Sequence, residues 1–198
     1  MSEVTYSIEI SNLIRGFLTS DDWNYSFDEK HGYIQFGLNL HSRIKNIKYI
    51  VDVGENYFLV YAVSPIGGDA SDQEMMRRLS EFIVRANYGL RNGNFELDMN
   101  DGEIRYKSFV DCRNIRPSVE VIKSSVYCPA AMYERYGSGM AEIIFNDVNA
   151  KEAIDKCEND LVDKDETSMH SEGEAKTVLE KLAAHLAGSD SAASGSRK

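Results

Sequence analysis

Apolar residues recur along this chain with two periods, and the switches between them mark its elements. Ile10, Leu13, Ile14, Phe17 and Leu18 share one stripe, which predicts an amphipathic helix from Val4 to Leu18 that ends at Asp21-Asp22. The period then drops to two. Trp23, Tyr25 and Phe27 alternate with Asn24, Ser26 and Asp28, and after a turn at Asp28–Gly32, Ile34, Phe36, Leu38 and Leu40 alternate with Gln35, Gly37 and Asn39. Both runs read as half-buried strands. A basic loop at Ser42–Asn46 leads to a third strand, Ile47–Val53, which Gly54-Glu55-Asn56 turns into a fourth, Tyr57–Val63.

The fourth strand is apolar at all seven positions, so it has a cover on both faces. Helices are expected on one face. Phe58, Val60 and Ala62 are expected on the other, beneath a second subunit or a client peptide.

Past a loop with Pro65 and Gly67-Gly68, Ser71 and Glu74 have the spacing of a capping box. The helix it predicts buries Met75, Met76, Leu79, Phe82, Ile83 and Ala86. Glu74/Arg78 and Glu81/Arg85 are i,i+4 pairs, each worth roughly 0.2–0.5 kcal/mol, which accounts for both arginines without a phosphate site. Gly89 suits the left-handed position beyond a helix. Phe95, Leu97 and Met99 then alternate with Glu96 and Asp98, Asp101-Gly102 makes a tight turn, and Ile104 and Tyr106 return. A last long helix opens at Arg116-Pro117-Ser118 and carries Ile122, Val126, Ala130, Tyr133, Met140 and Ile144, with a kink expected at Pro129 and a break at Gly137-Ser138-Gly139. Ala150–Cys157 continues as a short helix.

Composition divides the chain near residue 158. Residues 1–157 carry the core-forming pattern. Residues 158–198 are acidic, rich in Ser, Ala and Gly, and free of aromatic residues, so they are expected to be disordered, with a weak amphipathic helix at 172–187 that presents Leu179, Leu182 and Leu186. The whole chain has 198 residues, 42% hydrophobic and 10% aromatic, with a net charge of −10. That charge disfavours nucleic acid and anionic membrane as partners. No apolar run reaches the ~18–20 residues that span a bilayer. The three cysteines, Cys112, Cys128 and Cys157, form neither a disulfide framework nor a zinc pattern, and a reducing cytoplasm is the expected setting.

No catalytic, metal or cofactor constellation emerges. His31, His41, His170 and His185 have no paired spacing. Asp98, Asn100, Asp101 and Glu103 resemble a calcium loop only until Gly102, which comes one position early. Gly67-Gly68 lacks a phosphate-loop context, and Ser138 lacks the spacing of a nucleophile elbow. Asn87, at the edge of an apolar stripe just before Tyr88-Gly89, is expected to tie its helix end to the glycine-rich turn.

Taken in order, Phe58-Leu59-Val60-Tyr61, Asn87-Tyr88-Gly89-Leu90, Gly93-x-Phe95-Glu96-Leu97-Asp98 and Asp101-Gly102-Glu103-Ile104-Arg105-Tyr106 resemble the YbjN family of bacterial sensory-transduction regulators. The resemblance covers residues 5–148. It implies an α+β fold of type III secretion chaperone-like order, α-β-β-β(β)-α-β-β-α, with helices on one face of an antiparallel sheet. It also implies a homodimer that binds an extended segment of a client, and no catalytic residues.

The expectation is therefore a non-enzymatic, cytoplasmic protein-binding module, chaperone-like or regulatory, that works as a homodimer. Its partner-binding residues are expected to be Phe58, Val60 and Ala62, with Leu179, Leu182 and Leu186 of the tail. The alternative is a small-ligand sensor with a pocket between sheet and helix, lined by Tyr57, Tyr61, Asn87 and Tyr88.

Overall fold

Ser7 sets the start of the first helix, α1 (Ile8–Ser20), later than the apolar stripe alone suggests. Its Oγ accepts from the Ile10 amide at 3.2 Å and satisfies a donor that the first turn leaves free. The computed structural model describes residues 5–159, and these belong to one compact unit, residues 1–160. The tail expectations, including Leu179, Leu182 and Leu186, lie outside the described residues.

Four strands follow as an antiparallel meander: β1 (Tyr25–Asp28), β2 (Tyr33–Asn39), β3 (Asn46–Val53) and β4 (Tyr57–Val63). Trp23 stands outside β1. Its indole N–H donates to Asp21 Oδ2 at 2.9 Å, and its ring meets Phe36 edge-on at 5.1 Å.

The second helix, α2 (Gln73–Asn87), is capped by Asp72, whose carboxylate accepts from the Glu74 and Met75 amides at 3.0 and 2.9 Å. The expected Ser71/Glu74 capping box is thus replaced. Ser71 instead donates to Asp69, and Glu74 is held outward by Arg77. Beyond Gly89 (φ +90°), β5 (Asn94–Leu97) and β6 (Ile104–Asp111) form the hairpin. β6 pairs with β4 and β5 takes the outer edge, so the sheet order is β1-β2-β3-β4-β6-β5 with every neighbour antiparallel. The Gly67-Gly68 pair has a packing role here. Gly68 N donates to Gly102 O at 2.9 Å, and a Cβ on Gly102 (φ +80°) would lie 2.0 Å from the Gly68 carbonyl oxygen.

Two helices complete the layer, α3 (Val119–Asn146) and α4 (Ala150–Asn159). Ser118 caps α3. The break expected at Gly137-Ser138-Gly139 is absent, and α3 continues through it. Those glycines are contact points. A Cβ on Gly137 would come within 3.1 Å of Ile44 and Ser42 Oγ, and one on Gly139 within 2.7 Å of Cys157 Sγ and the Phe82 ring.

The fold is α+β, a six-stranded antiparallel sheet with its helices on one face. The core lies between the layers. Tyr49 and Tyr133 cross it with hydroxyls bonded to carbonyls: Tyr49 to Val126 O at 2.8 Å, Tyr133 to Ala62 O at 3.0 Å. Both are fully buried, so these bonds remove a desolvation cost that bare hydroxyls would carry.

Candidate functional site: the helix-free face of the sheet

The register decides which side chains meet the helices. Val53 pairs with Phe58, Val51 with Val60 and Tyr49 with Ala62. All six are buried, with Phe58, Val60 and Ala62 no more than 1% exposed. The expectation that these three meet a second subunit or a client is overturned, because they sit in the core under the helices. Their neighbours Tyr57, Leu59, Tyr61 and Val63 take the opposite face, all half-buried. The polarity of β3 carried the missed signal: Lys48 and Asp52 cannot sit in the core, so the residues paired with them, Val63 and Leu59, face outward.

Three cross-strand rows build the centre of this face. The middle row is Gln35, Ile50, Tyr61 and Lys107 on β2, β3, β4 and β6. One flanking row is Tyr33, Asp52, Leu59 and Phe109; the other is Gly37, Lys48, Val63 and Arg105. Tyr57 extends the apolar surface and lies 5.7 Å from Phe109, ring to ring. Phe109 is 56% exposed, a large apolar side chain left in water.

Charge is distributed unevenly over these rows. Arg105 spans the Tyr61 ring at 4.6 Å and bonds Glu96 at 2.8 Å, while Lys107 pairs with the same carboxylate. Burial works against ionised Glu96, but the Lys107 and Arg105 bonds outweigh it and hold its carboxyl below the ordinary range. Asp52 lies between Tyr33 and Leu59 with no described partner, and partial burial pushes its carboxyl up. Lys48 likewise has no described ion pair. Asp111, at the far end of β6, is held at about 2 by its Arg113 bonds.

The residues expected to line a ligand pocket are not brought together. Tyr57 and Tyr61 lie on the open face. Asn87 exchanges two hydrogen bonds with the backbone of Phe95, at 2.9 and 2.8 Å, which is the tie to the turn region expected of it. Tyr88 is 93% exposed and lines a hollow of about 590 Å³ between α2 and α4, with Val84 and Ile154. A second hollow, about 480 Å³, lies beside the hairpin among Glu96, Asp98, Met99, Glu103 and Arg105.

Of the two described histidines, only His31 has a side-chain contact that is shown. His31 Nδ1 lies 2.7 Å from Asp28 Oδ2 in the β1–β2 turn, and the backbone N–H groups of His41 and Ser42 donate to the Glu134 carboxylate at 2.7 and 2.9 Å. Among the described residues, no three His, Cys, Asp or Glu side chains are grouped to hold a metal, and no helix is long and apolar enough to cross a membrane.

No protein-family model matches this sequence, and no curated protein matches it significantly.

Proposed function

We propose that this protein is a non-enzymatic, cytoplasmic protein-binding module of chaperone-like or adaptor type, and that it works through the helix-free face of its sheet. One observation carries the reading: an apolar stripe, Ile50, Leu59, Tyr61, Val63 and Phe109, runs across three adjacent strands on the side away from the helices. A solvated antiparallel face ordinarily alternates to polar side chains, so this stripe costs solubility and needs a use. The hairpin's likeness to the YbjN family is in keeping with such a role.

Panning a library of displayed peptides on the immobilised full chain tests this. Bound peptides are expected to be lost with Leu59→Glu and Phe109→Glu, and retained with Tyr88→Ala on the far side. Peptides that bind both face variants as well as the wild type would overturn it.

A further inference from the structure

We infer that the helix-free face takes an amphipathic α-helix of a partner protein, laid along β4 with its N-terminal end toward Asp52 and its C-terminal end toward Lys48. This rests on the reading that the face is a protein-binding surface, and it names the form and direction of what binds. It departs from the extended client segment that the family resemblance implies.

Backbone hydrogen bonding carries the choice of a helix. An extended segment pairs its amides and carbonyls at a sheet edge, and on a face it has no strand beside it to take them. At the β5 edge, Asn87 already supplies a donor and an acceptor to Phe95, and the β1 edge has only four residues. A helix satisfies its own backbone and brings only side chains to the contact.

The dimensions of the apolar stripe agree. It spans three adjacent strands, β3, β4 and β6, which is about 10 Å across, the diameter of one helix. Along β4, Tyr57 to Val63 runs about 20 Å, the length of a helix of about 13 residues. Apolar residues at i, i+3, i+4 and i+7 of such a helix would meet Ile50, Leu59, Val63 and Phe109.

Charge sets the direction. Lys48 and Asp52 lie on β3 on either side of Ile50, about 13 Å apart by strand geometry. Neither has a described partner. The Lys48 end of the face also carries Arg105, across β4 in the same row. A strand has little net dipole, but a helix is positive at its first turn and negative at its last. With its N-terminal end over Asp52, the helix offers free amides to the carboxylate and free carbonyls to the Lys48 ammonium. Acidic side chains in the first turn and basic ones in the last stabilise a helix on its own. Here they would meet like charge, so the helix this face selects lacks them.

Panning the immobilised full chain with two displayed libraries of peptides of about 14 residues tests the form. One library has helix-forming residues with apolar positions at i, i+3, i+4 and i+7. The other has the same residues in strict alternation around a central proline. Peptides that Leu59→Glu or Phe109→Glu releases are expected from the first library. The best of them, resynthesised with a central proline, is expected to bind about 100-fold more weakly. A spin label on its N-terminus is expected to broaden the amide signal of Asp52 more than that of Lys48, and a label on its C-terminus the reverse. The double variant Lys48→Glu/Asp52→Lys is expected to bind it about tenfold more weakly.

A proline that leaves the affinity within about threefold would overturn the inference, and so would spin labels that broaden in the opposite order. Face-dependent peptides from the alternating library alone would overturn the helix and leave the protein-binding reading standing. No face-dependent peptide from either library would overturn both.

Discussion

The same substitution, Gly→Ala, is expected to act with opposite sign at two helical positions of this protein. Gly16 lies in the middle of α1, and a Cβ there meets nothing within 4 Å. Alanine at that site restricts the unfolded chain and adds no clash, so Gly16→Ala should stabilise by about 0.5–1 kcal/mol, or about 1–4 °C in Tm for a domain of this size. Gly139 also lies within a helix and has the same propensity to gain. Its Cβ, however, would lie 2.7 Å from Cys157 Sγ and 2.7 Å from two atoms of the Phe82 ring. Phe82 is fully buried and Cys157 is 7% exposed, so neither can swing into solvent. Overpacking of this kind costs about 1–3 kcal/mol, which outweighs the propensity gain and leaves a net loss of about 1 kcal/mol. Gly137, with contacts of 3.1–3.2 Å, should fall between the two. Urea unfolding followed by fluorescence of Trp23, the single tryptophan, measures all three. Gly139→Ala as stabilising as Gly16→Ala would refute the claim that this glycine is a contact between α3, α2 and α4.

Asn87→Ala removes two hydrogen bonds to the Phe95 backbone and should cost about 2 kcal/mol, with faster exchange of the Phe95 amide; a change below about 0.5 kcal/mol would contradict the tie. Ser108 is fully buried on the core face and its Oγ has no partner among the described residues. Ser108→Ala should therefore stabilise by about 1 kcal/mol in urea unfolding. The Asp52 carboxyl is raised by burial, so its folded pKa lies above its unfolded one. The penalty is absent below the unfolded pKa and grows as pH rises through the folded one, so Asp52→Asn should stabilise the monomer at pH 7 and make no difference near pH 3. Parallel urea curves at the two pH values check the sign.

The elements themselves were legible in the sequence because their periods are clear. The alternation of Ile34, Phe36 and Leu38 and the Asp101-Gly102 turn match β2 and the β5–β6 hairpin. Boundaries shifted where a side chain intervened: Ser7 and Asp72 bond free amides and set helix starts that periodicity cannot see. The parity of β4 was illegible from β4 alone, since seven apolar residues give no alternation. It was recoverable from β3, where two charged side chains fix the outward face and the short turn carries that parity across. The sequence is ambiguous at Gly137 and Gly139 for a different reason. Glycine suits both a helix break and a close packing contact, and only the neighbours that arrive, Ile44, Phe82 and Cys157, distinguish them.

The outcome for β4 moves the candidate surface from one set of alternate residues to the other, and the closed sheet edges are in keeping with the proposal that the face is what binds. A free edge strand offers unpaired amides and carbonyls to any extended chain. At β5 that route is obstructed, because Asn87 supplies both a donor and an acceptor to Phe95 and occupies the place of the next strand. The other edge, β1, has only four residues, and its core-facing rings are engaged: Arg15 lies over Phe27 at 4.4 Å, and the Tyr25 hydroxyl lies 3.2 Å from Thr19 Oγ1. Strand addition there could form only a few backbone bonds. The helix-free face instead offers side chains from four strands at once, with apolar contact area at its centre and unpaired charge on both flanks. Under the proposed protein-binding role, affinity comes from the stripe and selectivity from Lys48 and Asp52, and the two are separable. Leu59→Glu should abolish association outright, whereas reversing either charge should alter which surfaces the face accepts.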